Sequence, residues 1–118
     1  MSLKIYFAKT LTTSDNNSDP ALKPHYYAND YQSVKKQVLE VAKLLKLNIV
    51  SVDDKYQEIL LVKSGNCDIV VTIFRAGASG CRVDLHVNIE TGICFGGCKK
   101  TIQEFYKVLD PRLIRKGN

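Results

Sequence analysis

Residues 67–89 read CDIVVTIFRAGASGCRVDLHVNI. Apolar and polar residues alternate on both sides of a loop that holds Gly77 and Gly80, the period-two pattern of a half-buried β-hairpin. Folding the two arms together around that loop sets Ile73 opposite Val83, Val71 opposite Leu85, Ile69 opposite Val87 and Cys67 opposite Ile89. All eight are apolar. The same register sets Phe74 beside Arg82, Thr72 beside Asp84, Val70 beside His86 and Asp68 beside Asn88 on the other face. A slip of one residue would exchange the two faces, so the side chains themselves specify the register.

Working back through Ser64-Gly65-Asn66, the preceding strand brings Leu61 against Ile69 and Ile59 against Val71 on the core face. Turn formers at Asp53-Asp54-Lys55 divide this strand from one more, so residues 48–90 read as a meander of four antiparallel strands. Leu60 and Val62 then point away from the core. With Val70 and Phe74 they form an apolar patch on an otherwise polar face, and monomers seldom leave such a patch uncovered. An aromatic N-terminal strap, a dimer partner and a ligand are the three covers that the sequence leaves open.

Two helices flank the meander. From Asp30, with Asp30 or Asn29 as cap, Val34, Val38, Val41, Ala42 and Leu45 recur at steps of three and four, and Lys43 and Lys46 suit the negative end of the helix dipole. After Gly97, Cys98, Ile102, Phe105, Tyr106 and Leu109 make a second stripe that ends at Asp110-Pro111. Ahead of the first helix, Lys4 to Leu11 alternates as a short edge strand, and the polar run Thr12 to Pro20 leads into a strap carrying His25, Tyr26, Tyr27 and Tyr31. The expected architecture is α+β: two layers, with an antiparallel meander sheet of four to five strands and both helices on one face, in the order β-α-β-β-β-β-α. Residues 1–118 form one domain: edge strand and strap over 1–29, helix, meander and helix over 30–110, and a basic tail over 111–118. The expected core is Val38, Val41, Leu45, Ile59, Leu61, Ile69, Val71, Ile73, Val83, Leu85, Val87, Ile102, Phe105 and Leu109.

The chain has 118 residues, 45% hydrophobic and 25% charged, which is room for one core without stapling. No apolar run reaches the ~20 residues that span a bilayer. The start, Met1-Ser2-Leu3-Lys4-Ile5, lacks the charged and then long apolar segments of a signal peptide, so the expected compartment is the cytoplasm. Seventeen basic against twelve acidic residues give a net charge of +5. The basic residues are scattered and lack interleaved aromatics, which argues against a nucleic-acid surface.

The candidates for chemistry are few. Cys67, Cys81, Cys94 and Cys98 lack the paired two-residue spacers of a zinc ribbon, and the expectation is no metal, no cofactor and cytosolic thiols packed as small hydrophobes. In Cys94-Phe95-Gly96-Gly97-Cys98-Lys99-Lys100, a thiol at Cys94 or Cys98 near a helix N-terminus is a candidate nucleophile or redox group. The amides of Gly96 and Gly97 with Lys99 and Lys100 are a candidate anion site, although no nucleotide-binding glycine motif is present. Asp84 and His86 share one strand face, the minimum for acid–base chemistry, and read more simply as solvated surface.

Several segments carry a resemblance: Thr13-Ser14-Asp15-Asn16, Pro20-Ala21-Leu22-Lys23-Pro24-His25-Tyr26-Tyr27, Val50-Ser51-Val52-Asp53, Asp68 through Arg75, Val83-Asp84-Leu85 and Phe105 through Asp110. From about Lys9 to Arg115 the chain resembles a bacterial family of small uncharacterised cytosolic α+β proteins, akin to domain-of-unknown-function family fourteen-ninety-nine. The resemblance implies a compact domain in which Tyr26 and Tyr27 belong to the fold, and it brings no catalytic residues. Thr91 to Cys98 departs from the family pattern, which is more polar and free of cysteine there. The expected function is non-catalytic: a binding or interaction module for a protein partner, a second copy or a small apolar ligand held between sheet and helices. The alternative is a small enzyme, or a thiol or anion site, at the Cys94–Lys100 turn or at Asp84 and His86.

Overall fold

A computed structural model describes residues 10–63, 67–77, 80–89 and 97–116. Six strands form one antiparallel sheet: β1 (Thr10–Thr12), β2 (His25–Tyr27), β3 (Asn48–Asp53), β4 (Glu58–Lys63), β5 (Cys67–Ala76) and β6 (Gly80–Ile89). Helices α1 (Tyr31–Leu44) and α2 (Gly97–Leu109) pack on one face of it. The sheet order is β3-β4-β5-β6, and β1 and β2 both lie along the far side of β6.

The β5–β6 pairing is the one the side chains specify, with Ile73 opposite Val83, Val71 opposite Leu85, Ile69 opposite Val87 and Cys67 opposite Ile89. Leu61 meets Ile69 and Ile59 meets Val71 across β4 and β5. Gly77 takes a positive φ of 72°, which an L side chain adopts only at a cost. At Gly80 a Cβ would stand 3.0 Å from the Tyr27 carbonyl oxygen and 3.1 Å from that of Ala76, so a side chain here would need backbone on both sides to give by a few tenths of an ångström.

The expected core residues are buried, except Leu45, which is partly so, and Leu22, Tyr27, Tyr31, Val34 and Tyr106 join them. Ile69, Val71, Leu85, Ile102 and Phe105 are each at most 1% exposed. These five, which the sequence reading set around a small apolar ligand, all belong to the one buried cluster that joins the sheet to the helices.

Helix α1 begins after Asp30, but its cap differs from the expected one. The Asp30 carboxylate accepts from the Ser33 hydroxyl instead of a backbone amide, and Asn29 Oδ1 accepts from the Ile114 amide at 2.8 Å. The helix stops with two reversed bonds, Lys46 N–H to the Lys43 carbonyl at 3.1 Å and Leu47 N–H to the Ala42 carbonyl at 2.8 Å, while Leu47 is buried. This geometry requires a left-handed residue after the helix, a role that usually falls to glycine. Here it is Lys46, at φ 59°.

The N-terminal region is a two-part edge strand. β1 pairs with His86–Asn88 and β2 with Cys81–Val83, and the strap of residues 13–24 leaves the sheet between them. At the break, Thr13 N–H donates to the Leu85 carbonyl at 2.9 Å, and Leu85 N–H donates to Thr13 Oγ1 at 3.0 Å. The threonine hydroxyl thus replaces the ladder acceptor that a continuous strand would have offered. Expected residues 4–9 of the first strand lie outside the described residues. The tail, expected only as a basic end, closes β2: Ala28 N–H donates to the Ile114 carbonyl and Lys116 N–H to the Tyr26 carbonyl, both at 2.8 Å.

Two outcomes are expected from urea unfolding. Lys46→Gly raises stability by about 1 kcal/mol, because it relieves a left-handed non-glycine residue whose side chain is exposed. Thr13→Val lowers it by about 1–3 kcal/mol, because it strands the buried Leu85 amide, whereas Thr13→Ser keeps most of the stability.

Candidate functional site

Both helices lie on one face of the sheet, and on the other only the start of the strap, at Thr13 to Asn16, stands against described residues, beside Arg82 and Asp84. The register sets out that outer face in rows: Leu60, Val70, His86 and Thr12; Glu58, Thr72 and Asp84; Phe74, Arg82 and Tyr26. Leu60 is directly opposite Val70, and Val62 follows Leu60 on the same side, so these three half-buried residues are contiguous. Phe74 is four residues beyond Val70, about 13 Å along the strand, with Thr72 between them. The expected single patch is therefore two. Phe74, 40% exposed, carries the Arg82 guanidinium 4.3 Å above its ring.

Arg82 links Phe74 to a polar cluster at the foot of the strap. Its Nε donates to Asp84 Oδ2 at 2.9 Å, Thr13 Oγ1 donates to Asp84 Oδ1 at 3.1 Å, and the Tyr26 hydroxyl donates to the Asp15 carboxylate at 2.9 Å. Burial pushes the Asp84 carboxyl above its ordinary range, although Arg82 and Thr13 act to lower it. Beside the cluster is a cleft of about 240 Å³, bordered by Thr13, Asp15, Asn16, Pro24, Arg82 and Asp84. His86 points to the Thr12 hydroxyl. Asp84 and His86 therefore turn to separate strap partners and do not form an acid–base pair.

The turn before α2 is corrected in two respects. Cys98 is 2% exposed and disulfide-bonded, so it is neither a reactive thiol nor a resting one, and such a bond is rare in a reducing compartment. Lys99 is committed to the strap, its ammonium 2.6 Å from Asp19, which it holds below the usual carboxylate range. Asp19 also accepts from the Ala21 amide at 3.0 Å, capping the short turn Pro20–Leu22 that seats Leu22 in the core. The expected anion site thus loses Lys99 to an internal carboxylate. Gly97 and Lys100 are exposed, and Cys94 and Gly96 lie outside the described residues. Cys67 and Cys81 are free thiols, and burial pushes both up from their ordinary pKa.

A cluster that the sequence reading missed joins β2, α2 and the tail. His25 Nδ1 lies 2.8 Å and the Tyr27 hydroxyl 2.6 Å from Asp110 Oδ1, and Arg115 donates to Asp110 Oδ2 at 3.2 Å. The His25 ring stacks on Tyr106 at 3.6 Å between centroids, and the Tyr106 hydroxyl donates to the Val83 carbonyl at 2.6 Å. These partners lie far apart in sequence, and the only local sign was the density of aromatics in residues 25–31. Burial drives the Tyr27 and Tyr106 hydroxyls up and the His25 imidazole down. The neutral ring donates its Nδ1 proton to Asp110. Both oxygens of Asp110 and both tyrosine hydroxyls hold chain segments together, which is a structural task.

No family model matches the chain, and no curated protein matches it. Among solved structures, TTHA0849 from Thermus thermophilus aligns at a TM-score of 0.48 and 14% identity, over 87% of this chain and 95% of that one.

The cluster has a pH signature. The folded state disfavours protonated His25, so unfolding takes up a proton once the pH falls below the unfolded imidazole pKa of about 6.5. Stability is expected to be complete above about pH 7 and to fall as the pH drops through that value toward the lower folded one. His25→Gln should flatten this segment of a thermal-melt series run between about pH 8 and pH 5. Asp84, whose pKa is raised, acts in the opposite sense and at lower pH.

Proposed function

We propose that the protein is a non-catalytic binding module whose contact surface is the outer face of the sheet. The observation that carries this reading is the placement of both helices on one face, which leaves Leu60, Val62, Val70 and the Phe74–Arg82 stack on a face where only the start of the strap stands against described residues. A sheet face with apolar spots and a stacked arginine suits a protein partner, since aromatics and arginine are enriched where proteins meet.

The polar groups favour binding over catalysis. Asp84 is held by Thr13 and Arg82, Asp110 by His25, Tyr27 and Arg115, and Asp19 by Lys99. Among the described residues, no group of three or more His, Cys, Asp or Glu is placed to hold a metal ion. Arg82, Lys35, Lys99 and Arg115 all face carboxylates of the chain, so these four offer little to a polyanion. No helix is long and apolar enough to cross a membrane among the described residues. On this reading the chain stands beside the small α+β family whose segments it resembles.

Leu60→Ser with Phe74→Ser tests the surface. Both side chains are at least partly exposed, so the double variant is expected to fold and to lose no more than about 1–2 kcal/mol. Used as paired baits, the wild type should retain a partner that the double variant loses. Retention of the same partners by both proteins overturns the outer face as the contact surface.

A further inference from the structure

The two edges of the sheet are treated differently. On the β6 side, β1 and β2 pair with the strand, and the tail closes β2 in turn. On the other side, β3 pairs only with β4 among the described elements, and all six of its residues are exposed. Ile49 and Val52 are 39% and 40% exposed, and Val50 and the nearby Leu44 more so. Natural sheets protect such an edge with charged side chains, proline, bulges or very short strands. Residues Asn48–Val52 contain neither charge nor proline, and the one irregularity is a bulge at Val50, between Ile49 and Ser51.

We propose that β3 pairs with β3 of a second copy, antiparallel about a two-fold axis between Val50 and Ser51, so that two sheets become one. In that register Ile49 lies opposite Val52 of the other copy, twice. Both sit on the helix face, because within the chain they pair with Leu61 and Ile59. Asn48 lies opposite Asp53, an amide against a carboxylate on the outer face. The charges also complement: Lys46, just ahead of one strand, is the diagonal neighbour of Asp53 at the end of the other, at both ends of the ladder. Lys55, which would bring like charge to the same end, stands with its ammonium 5.3 Å from the Tyr56 ring. An edge that matches its own inverse, apolar on apolar and acid near base, meets the requirement of an isologous interface. The segment from Leu44 to Tyr56 is smaller than the about 20–30 residues a side of a standard stable interface, so this dimer is concentration-dependent.

Sedimentation equilibrium from about 10 μM to about 1 mM spans the dissociation constants that suit so small a contact. The wild type is expected to pass from monomer to dimer across this range, and Val52→Lys to stay monomeric throughout. Hydrogen exchange on the wild type should show the amides of Asn48–Asp53 slowing at the high concentration and those of β5 unchanged, a readout that needs no variant to fold. Leu60→Ser with Phe74→Ser, the outer-face variant, should dimerise as the wild type does, which keeps this contact separate from the proposed binding face. A wild type that is monomeric at the highest concentration overturns the proposal. So does a folded Val52→Lys that dimerises normally, or a dimer that the outer-face variant abolishes.

Discussion

The structure depends on one constraint: the ten-residue β5–β6 pairing can bury only one of its faces. Side chains alternate along a strand, so the choice that puts Ile69, Val71, Ile73, Val83, Leu85 and Val87 inside also commits Val70, Thr72, Phe74, Arg82, Asp84 and His86 to the outside. Everything else attaches to this hairpin. β4 pairs with β5 and carries β3, β1 and β2 pair with β6, and both helices lay their stripes on the buried face. The outer face is thus the necessary counterpart of the core. Leu60, Val62 and Val70 set apolar side chains on that face, each half-buried.

The edges show where closure is concentrated. At β6 the chain uses two separate segments to cover one strand and the tail to close the second of them, and ties all three down with polar contacts that span most of the sequence. Thr13 fills the gap between β1 and β2, Lys99 fastens the strap through Asp19, and Asp110 collects His25, Tyr27 and Arg115. Several of these contacts are part-buried, so each replaces water with a directed partner and leaves few alternatives for the segment it holds. The single hydroxyl of Thr13 serves both the Leu85 amide and the Asp84 carboxylate. Fastening of the N-terminal strap and orientation of the outer-face polar cluster are therefore coupled through one side chain.

The meander is legible in the sequence because its information is local and periodic. Alternation between Cys67 and Ile89 fixes which residues face each other, and the three-four spacing of Val34, Val38 and Val41, or of Ile102, Phe105 and Leu109, fixes the helix faces. What stays hidden is long-range and aperiodic. β2 has three residues, too few to show a period, and Tyr27 is fully buried because Asp110, α2 and the tail come to it from the far end of the chain. Cys98 reads as an N-terminal thiol with lysines beside it, but its oxidation and the commitment of Lys99 to Asp19 depend on partners that spacing does not reveal. Alternation sets Val70 and Phe74 on one side of the sheet without bringing them together, because two pleats separate them.

That separation bears on function. A single apolar island would favour a hydrophobic plug from a partner, but two spots flanking a polar row ask for a surface that alternates as a sheet does. Leu60 with Val70 is one spot, Phe74 under Arg82 is the other, and Glu58, Thr72 and Asp84 lie between them. A guanidinium stacked on an aromatic ring is held in place at little entropic cost, so it can meet a carboxylate or carbonyl without first being ordered. Asp84 holds the Nε side of Arg82 at 2.9 Å and Asp15 of the strap stands 3.7 Å from Nη1, so the guanidinium is fixed between two carboxylates of its own chain. On the proposed reading, a partner would meet fixed geometry more than apolar area on this face, with small apolar groups set against Leu60 and Val70.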